Sequence, residues 1–209
     1  LTKKQKHVVS LGATSGLWDL LLQDTLHSVH SAFPELAMRA EAHGAEALIR
    51  SLMERTLDLC LIYEPAKLAD LVSIPITPAE LMLVSSNKNA TLETAMLTGY
   101  VAVDWGLSFQ MSYTQLFPDA PSPVLHTSLS RIALDFITQF GGSAYLPYRM
   151  IENELGVTLF QVPEAPVISR QIYACHHREN QFTKEIEAIL NVIRSLEVPA
   201  EVVPQVIEI

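Results

Sequence analysis

The chain has 209 residues, of which 49% are hydrophobic and 18% are charged. This composition excludes a disordered chain, and the length allows one large domain or two domains of about 100 residues each. The formal net charge of −9 would repel a nucleic-acid backbone, so this chain alone is not expected to bind DNA. No apolar run is long enough to span a bilayer and no signal-peptide pattern is present, so we expect no membrane partner.

The two cysteines, Cys60 and Cys175, each lie in an apolar, strand-like run. They form no C-x-x-C motif, and we expect them to be buried thiols rather than a disulfide. Free buried thiols are typical of a protein in a reducing cytoplasm.

The first part of the chain alternates between strand and helix patterns. Apolar runs predict strands over residues 7–13 and 57–63, and alternating apolar and polar residues predict a strand over residues 35–42. Apolar stripes at helical spacing separate them, over residues 18–33 and 45–53. This β-α-β-α-β order predicts an α/β fold with a parallel sheet, in which ligands bind beyond the carboxyl ends of the strands.

A domain boundary is predicted near Ser86. Residues 72–77 and 79–86 predict two short strands separated by Pro78, and the polar segment 87–94 follows them. A second alternating unit then begins. Its predicted strands cover residues 100–106, 122–128, 143–147 and 166–177, and its predicted helices cover residues 107–117, 128–140, 148–156 and 180–196.

Two segments carry a family resemblance. Residues 33–63 resemble the part of LysR-type transcriptional regulators in which an aromatic-Pro pair is followed by a strand, a helix and a Leu-Asp-Leu run. The matching positions are Phe33, Pro34, Leu57, Asp58, Leu59 and Ile62. Residues 141–147, GGSAYLP, are similar to the family's Gly-x-Gly-Ile-Ala-x-Leu-Pro, although Phe140 replaces the first glycine and Ser143 replaces the isoleucine.

The resemblance implies a periplasmic-binding-protein-like (type 2) architecture, with two Rossmann-like subdomains joined by two crossover strands and a small-molecule effector in the cleft between them. Residues 1–86 plus 178–209 would form regulatory subdomain I, and residues 87–177 would form regulatory subdomain II. The family's N-terminal winged helix-turn-helix is absent from this sequence, so DNA binding is expected only through that missing domain. The alternative is a free-standing solute-binding protein of the periplasmic type.

A Thr-Ser pair, Thr14 and Ser15, follows the first predicted strand where the next helix begins. Residues 12–16 read GATSG, which does not fit the G-x-S-x-G turn of serine hydrolases because the serine comes one position too late. Unpaired N–H groups and the positive end of the dipole lie at a helix start. The two hydroxyls therefore either cap the helix or bind a ligand, and we do not expect an enzyme.

The second predicted subdomain repeats this pattern. In HTSLS, residues 126–130, Thr127 and Ser128 precede a helix for which Ser128 is the expected N-cap. The resemblance implies that this pair faces Thr14 and Ser15 across the cleft. Further effector-binding candidates lie at the predicted strand ends: His43, Tyr63, Glu64, Trp105 and Tyr145.

The sequence gives little support to metal binding, nucleotide cofactors or triad catalysis. His27 and His30 lie on one helix face but have no Glu or Cys partner at ligand spacing, so no metal site is expected. The sequence contains neither a P-loop nor a G-x-G-x-x-G motif, and we expect no cofactor. A catalytic triad of Ser15, a histidine and Asp104 is supported by no sequence motif.

The resemblance also implies a homodimer or tetramer. Family members pair head to tail, which would place the helix over residues 17–31 beside the partner's helix over residues 128–140. On the first helix, Leu20 is expected to face outward together with Gln23, His27 and His30, and to be buried in the interface.

Overall fold

The computed structural model describes residues 8–195 and the backbone of residues 206–207. The chain forms two compact units that divide within two long strands, between Thr77 and Pro78 and between Arg170 and Gln171. The described part of unit 1 comprises residues 8–77 and 171–195. Unit 2 comprises residues 78–170 together with the strand at 206–207.

Unit 1 is a mixed sheet flanked by helices. Its complete strands are β1 (Val8–Ala13), β2 (Ala37–Ala42) and β3 (Leu59–Ile62), and it shares β4 (Leu71–Ser85) and β9 (Val167–His177) with unit 2. Its helices are α1 (Ser15–Leu17), α2 (Gln23–Ala32), α3 (Ala45–Met53) and α8 (Thr183–Ser195). β1 pairs in parallel with β2 and β3, whereas β3 and β9 are antiparallel.

Unit 2 repeats this arrangement. Its strands are β5 (Tyr100–Val103), β6 (Leu125–Thr127), β7 (Ser143–Pro147), β8 (Phe160–Gln161) and β10 (Val206–Ile207), and its helices are α4 (Leu92–Leu97), α5 (Leu107–Leu116), α6 (Ser130–Phe140) and α7 (Tyr148–Ile151). β5 pairs in parallel with β6 and β7, and β4 runs antiparallel to β7. The predicted α/β class is confirmed. The sheet is mixed rather than purely parallel as predicted, because β3 with β9 and β4 with β7 pair in antiparallel fashion.

The predicted break at Pro78 is wrong, because β4 is one strand of 15 residues. Both of its prolines, Pro75 and Pro78, are exposed. Proline lacks a backbone N–H, so it interrupts a strand only where the sheet needs that hydrogen-bond donor. Elsewhere the residues on either side of a proline can keep an extended backbone.

Helix α4 lies partly within the polar segment at residues 87–94, for which the sequence predicts no helix. Thr91 is its N-cap: the Thr91 Oγ1 accepts from the Thr94 N–H at 3.2 Å, and the Thr94 Oγ1 accepts from the Thr91 N–H at 2.9 Å. This reciprocal pair satisfies two backbone donors at the helix start.

The three leucines that follow Trp18 are all buried, because a π-helical turn (Trp18–Leu22) joins α1 to α2. The Gln23 N–H donates to the Trp18 carbonyl, five residues back, which widens the turn. Leu20 is only 6% exposed. The prediction that Leu20 faces outward is therefore wrong.

The outer face of α2 is polar, with Gln23, His27 and His30 exposed as predicted.

The two cysteines are free thiols, as predicted, and both are fully buried. They are register partners on the antiparallel strands β3 and β9. The hydrogen bond with Cys175, together with burial, raises the pKa of Cys60. Ser73 on β4 lies 3.1 Å from the Cys175 sulfur and contributes a further polar contact.

Candidate functional site

The carboxyl ends of β1, β2 and β3 bring together the predicted site residues of unit 1. The Thr14 N–H donates to the Leu61 carbonyl at 3.4 Å, and the His43 N–H donates to the Ala13 carbonyl at 3.2 Å. Tyr63 and Glu64 directly follow β3, with the Tyr63 side chain buried and Glu64 exposed. Five predicted residues therefore lie at one edge of this sheet: Thr14, Ser15, His43, Tyr63 and Glu64.

The hydroxyl of Thr14 is not used by the fold. The Thr14 carbonyl accepts from the N–H groups of Leu17 and Trp18, at 2.9 and 3.2 Å, and so begins the helix. The Thr14 side chain makes no cap, and its buried Oγ1 has no hydrogen-bond partner among the described residues. An unpaired buried hydroxyl costs about 1 to 3 kcal/mol. Here that group lies beside the unpaired N–H groups of a helix start.

The His43 ring lies against its own sheet edge. Its Nε2 is 3.5 Å from the Glu41 carboxylate, which also lies 3.1 Å from the Arg39 Nε. The Glu41 carbonyl accepts from the Trp18 indole N–H at 2.8 Å. His43 therefore already has a polar neighbour and is half-exposed.

In unit 2, Trp105 and Tyr145 contact each other in the core. Trp105 is fully buried, and its indole N–H donates to the Tyr145 carbonyl at 3.0 Å. The Trp105 carbonyl accepts from the Arg170 Nε at 3.2 Å, and the Tyr145 hydroxyl donates to the Pro166 carbonyl at 3.1 Å. Burial raises the pKa of Tyr145, which keeps its hydroxyl protonated. The donors of these two aromatic side chains are thus satisfied inside unit 2.

The second Thr-Ser pair lies at the end of β6. The Asp104 N–H donates to the Thr127 carbonyl at 2.9 Å, so the ends of β5 and β6 are adjacent. The Thr127 Oγ1 accepts from the Leu129 N–H at 3.0 Å, and α6 begins at Ser130 with Leu129 as its N-cap. The prediction that Ser128 caps this helix is wrong, because the turn is closed by the hydroxyl of the preceding threonine.

A cavity of about 470 Å³ in unit 2 was not predicted. It lies among β5, α5 and the loop at residues 120–123, and Trp105 is the only predicted site residue that lines it. Its aromatic wall includes Tyr100 and Tyr113, whose ring centroids are 5.4 Å apart. Phe109 and Tyr113, four residues apart on α5, lie on one face of that helix, which is the part of the aromatic wall that the sequence alone indicates.

Residues 8–195 contain no group of three or more His, Cys, Asp or Glu side chains that could hold a metal ion. Over the same described range, no helix combines the length and the apolar character that crossing a bilayer requires.

The two-unit α/β fold, with small polar residues at strand ends, defines a periplasmic-binding-protein-like (type 2) domain. Residues 3–197 match the model of the LysR substrate binding domain. The chain therefore belongs to the LysR substrate binding domain family, and the resemblance in its sequence is confirmed.

Known relatives agree with this assignment. The chain is 27% identical over 180 residues to the HTH-type transcriptional regulator HdfR of Yersinia pestis, a match that covers 79% of this chain and 59% of that relative's length. Among solved structures, it resembles the reduced OxyR regulatory domain from Pseudomonas aeruginosa, with TM-score 0.76, 17% identity, and 91% and 98% of the two chains covered. The apo regulatory domain of HypT from Salmonella typhimurium matches with TM-score 0.75, 20% identity, and 93% and 97% coverage.

Proposed function

We propose that this chain is the effector-binding and dimerisation domain of a bacterial LysR-type transcriptional regulator. In this proposal it acts in the cytoplasm, catalyses no reaction, and reaches DNA only through a helix-turn-helix domain of the full-length protein. Units 1 and 2 correspond to the proposed regulatory subdomains I (residues 1–86 plus 178–209) and II (residues 87–177), although the units divide earlier in β4 and β9, after Thr77 and Arg170. Family membership and the regulator HdfR among its relatives support this function over a free-standing solute-binding protein.

The unused hydroxyl of Thr14 carries the proposal for the effector site. Buried polar groups are normally hydrogen-bonded, and this one lies at the carboxyl ends of parallel strands, where α/β folds bind ligands. Ser15 adds a second hydroxyl and the first N–H groups of the helix. Together these donors favour a ligand with a carboxylate or another polar acceptor.

In unit 2, Thr127 and Ser128 are the proposed effector contacts. The Thr127 hydroxyl accepts from the Leu129 N–H at 3.0 Å and donates to the Leu129 carbonyl at 3.5 Å, a long hydrogen bond that a ligand acceptor could replace. Trp105 and Tyr145, whose donors are satisfied internally, would contribute apolar surface. The exposed carboxylates Glu64 and Asp104 make a purely anionic effector less favourable, so an effector that carries both an acceptor and a donor fits best.

The test begins with a thermal-shift screen of small organic acids, amino acids and their amides. Any compound that stabilises the protein is then titrated calorimetrically into wild type and into Ser15→Ala and Thr127→Ala. We expect both variants to fold and each to bind about tenfold more weakly, because each loses one hydrogen bond to the ligand. Ser31→Ala is the control, since that exposed hydroxyl donates to the His27 carbonyl within α2. Unchanged affinity in both variants would exclude these residues from the site.

Homodimerisation is supported by the outer face of α6. Leu129, Ile132 and Phe140 are 41%, 45% and 73% exposed, and the Phe136 ring centroid lies 5.1 Å from that of Phe140. These residues form an apolar stripe on the solvent side of a helix whose other face is already buried in unit 2. Contiguous apolar surface of this kind marks interaction sites.

Unit 1 offers a matching surface for a second copy. A shallow groove between α2 and the edge strand β2 has an apolar floor with a polar rim, and its lining residues are Leu26, Met38 and Ala40 together with His27, His30 and Ser31. We propose that the α6 stripe of one subunit packs into this groove of its partner, and that the reciprocal contact closes a two-fold dimer.

A further inference from the structure

We propose that unit 2 contains a second ligand site, for a small organic cation in which an aromatic ring is joined to an ammonium group. The site is the cavity of about 470 Å³ among β5, α5 and the loop at residues 120–123, here called the amine pocket. Small-molecule pockets in proteins commonly span about 300 to 1,000 Å³, so this volume suits a single-ring compound.

Stacked aromatic rings form one wall of the amine pocket. Tyr100 and Tyr113 are nearly parallel, at 16°, and the Phe109 ring centroid lies 6.1 Å from that of Tyr113. Tyr100 and Phe109 are buried, whereas Tyr113 is only partly buried and leaves part of its ring available to the cavity. Burial raises the pKa of both tyrosines, so the phenols stay neutral. Neutral aromatic faces attract cations through their quadrupole.

The lining contains one carboxylate, Asp104, and one imidazole, His126. No Lys or Arg lines the pocket. The Asp104 Oδ1 accepts from the Gly106 N–H at 3.0 Å, which fixes the carboxylate at the end of β5. Within residues 8–195, Asp104 forms no salt bridge. A bound ammonium group would supply the missing counter-charge through a charge-assisted hydrogen bond.

The rim of the pocket is preorganised. Pro121 and Pro123 flank Ser122 on the loop that closes the cavity, and proline fixes the backbone φ angle. The Val124 N–H then donates to the Tyr100 carbonyl at 2.9 Å, which ties the loop to β5. Because the rim is already rigid, ligand binding would lose less conformational entropy in this loop.

The amine pocket is distinct from the proposed effector contacts. Thr127, Ser128 and Tyr145 do not line it, whereas Trp105 lines it, as does Asp104, whose charge also bears on the choice of effector. Its existence therefore does not depend on the proposed function.

The first experiment compares three compounds that share a phenyl ring and a two-carbon linker. Phenethylamine, 2-phenylethanol and 3-phenylpropionate differ in the charge of the terminal group. By isothermal titration calorimetry, we expect phenethylamine to bind the whole chain with a dissociation constant of about 1 mM or lower. The neutral alcohol should bind at least about tenfold more weakly, and the carboxylate more weakly still. Equal affinity for the amine and the alcohol, or no binding of the amine, would overturn the proposal.

Variants then locate the bound amine. Asp104→Asn keeps the oxygen that accepts from Gly106 but removes the charge, and we expect it to weaken amine binding at least about tenfold. Tyr113→Leu should weaken binding about threefold to tenfold by removing the aromatic face. Asp119→Asn is the matched control, because Asp119 is an exposed carboxylate on the same loop, one residue before Ala120, and does not line the pocket.

Two further controls separate this proposal from the effector site. Ser15→Ala and Thr127→Ala should leave phenethylamine affinity unchanged. If these two variants weaken amine binding and Asp104→Asn does not, the amine occupies the effector site and the amine pocket is refuted. Loss of effector binding in the same two variants, with intact amine binding, would support both proposals independently.

Discussion

Each of the two units has a helix that follows a strand and a Thr-Ser pair, yet the two helices begin in different ways. In unit 1 the helix starts directly at Ser15, the Thr14 hydroxyl stays unpaired, and a π-helical turn (Trp18–Leu22) follows. In unit 2 the Thr127 hydroxyl closes a turn, and α6 starts only at Ser130.

The way each helix begins determines which side chains it exposes. The π-helical turn allows Leu20, Leu21 and Leu22 to be buried together, so the outer face of α2 is polar. Helix α6 keeps a regular period, buries one apolar face and leaves Ile132 and Phe140 exposed. One sequence pattern therefore produces a helix start with an unpaired hydroxyl in unit 1 and an exposed apolar helix face in unit 2.

The largest expected effect comes from Leu20→Glu. Because Leu20 is buried within its own unit, the variant would place a charge in the core, and we expect the free energy of unfolding to fall by more than about 3 kcal/mol. Urea denaturation followed by circular dichroism measures this loss. Gln23→Glu, an exposed position on the same helix, should change stability by less than about 0.5 kcal/mol. A stable Leu20→Glu protein that only dissociates would restore the original, outward-facing assignment.

Ile132→Glu should weaken dimerisation without lowering folding stability, in contrast to Leu20→Glu. Ile132 is exposed on α6, so the variant should fold normally but raise the dissociation constant of the dimer at least about tenfold. In sedimentation velocity at micromolar concentration, wild type should run near twice the chain mass of 23.2 kDa and the variant near the chain mass itself.

Thr138→Glu introduces the same side chain on another flank of α6 and should stay dimeric. A monomeric wild type would exclude the dimer at these concentrations. A dimeric Ile132→Glu protein would exclude α6 from the interface.

The sequence predicts the fold class because the alternation of strand and helix is a local signal. The strand predicted at residues 143–147 matches β7, and the helix predicted at residues 45–53 matches α3. The continuity of β4 could not be predicted, since the cost of Pro78 depends on whether a neighbouring strand needs its N–H. Helix α4 was missed because its capping box uses Thr94 where Glu or Gln is the usual signal.

The candidate site was less predictable than the fold. The sequence places Thr14, Ser15 and Thr127 at strand ends, and the structure has them there. It does not reveal which of two adjacent hydroxyls closes the turn before α6. Nor does it reveal the amine pocket, because that cavity depends on how α5 packs against β5 and the loop at residues 120–123.

The smallest expected effect is the difference in folding stability between the variants Thr127→Val and Thr14→Val. Thr127→Val removes a hydroxyl that accepts from a backbone N–H, and we expect it to lower the free energy of unfolding by about 1 kcal/mol. Thr14→Val removes a buried hydroxyl that has no partner, and we expect stability to stay constant or rise by up to about 1 kcal/mol. Valine keeps the β-branched shape in both variants, so the comparison isolates the hydroxyl. Chemical denaturation without added ligand measures both values, and an equal loss in the two variants would show that the Thr14 hydroxyl also stabilises the fold.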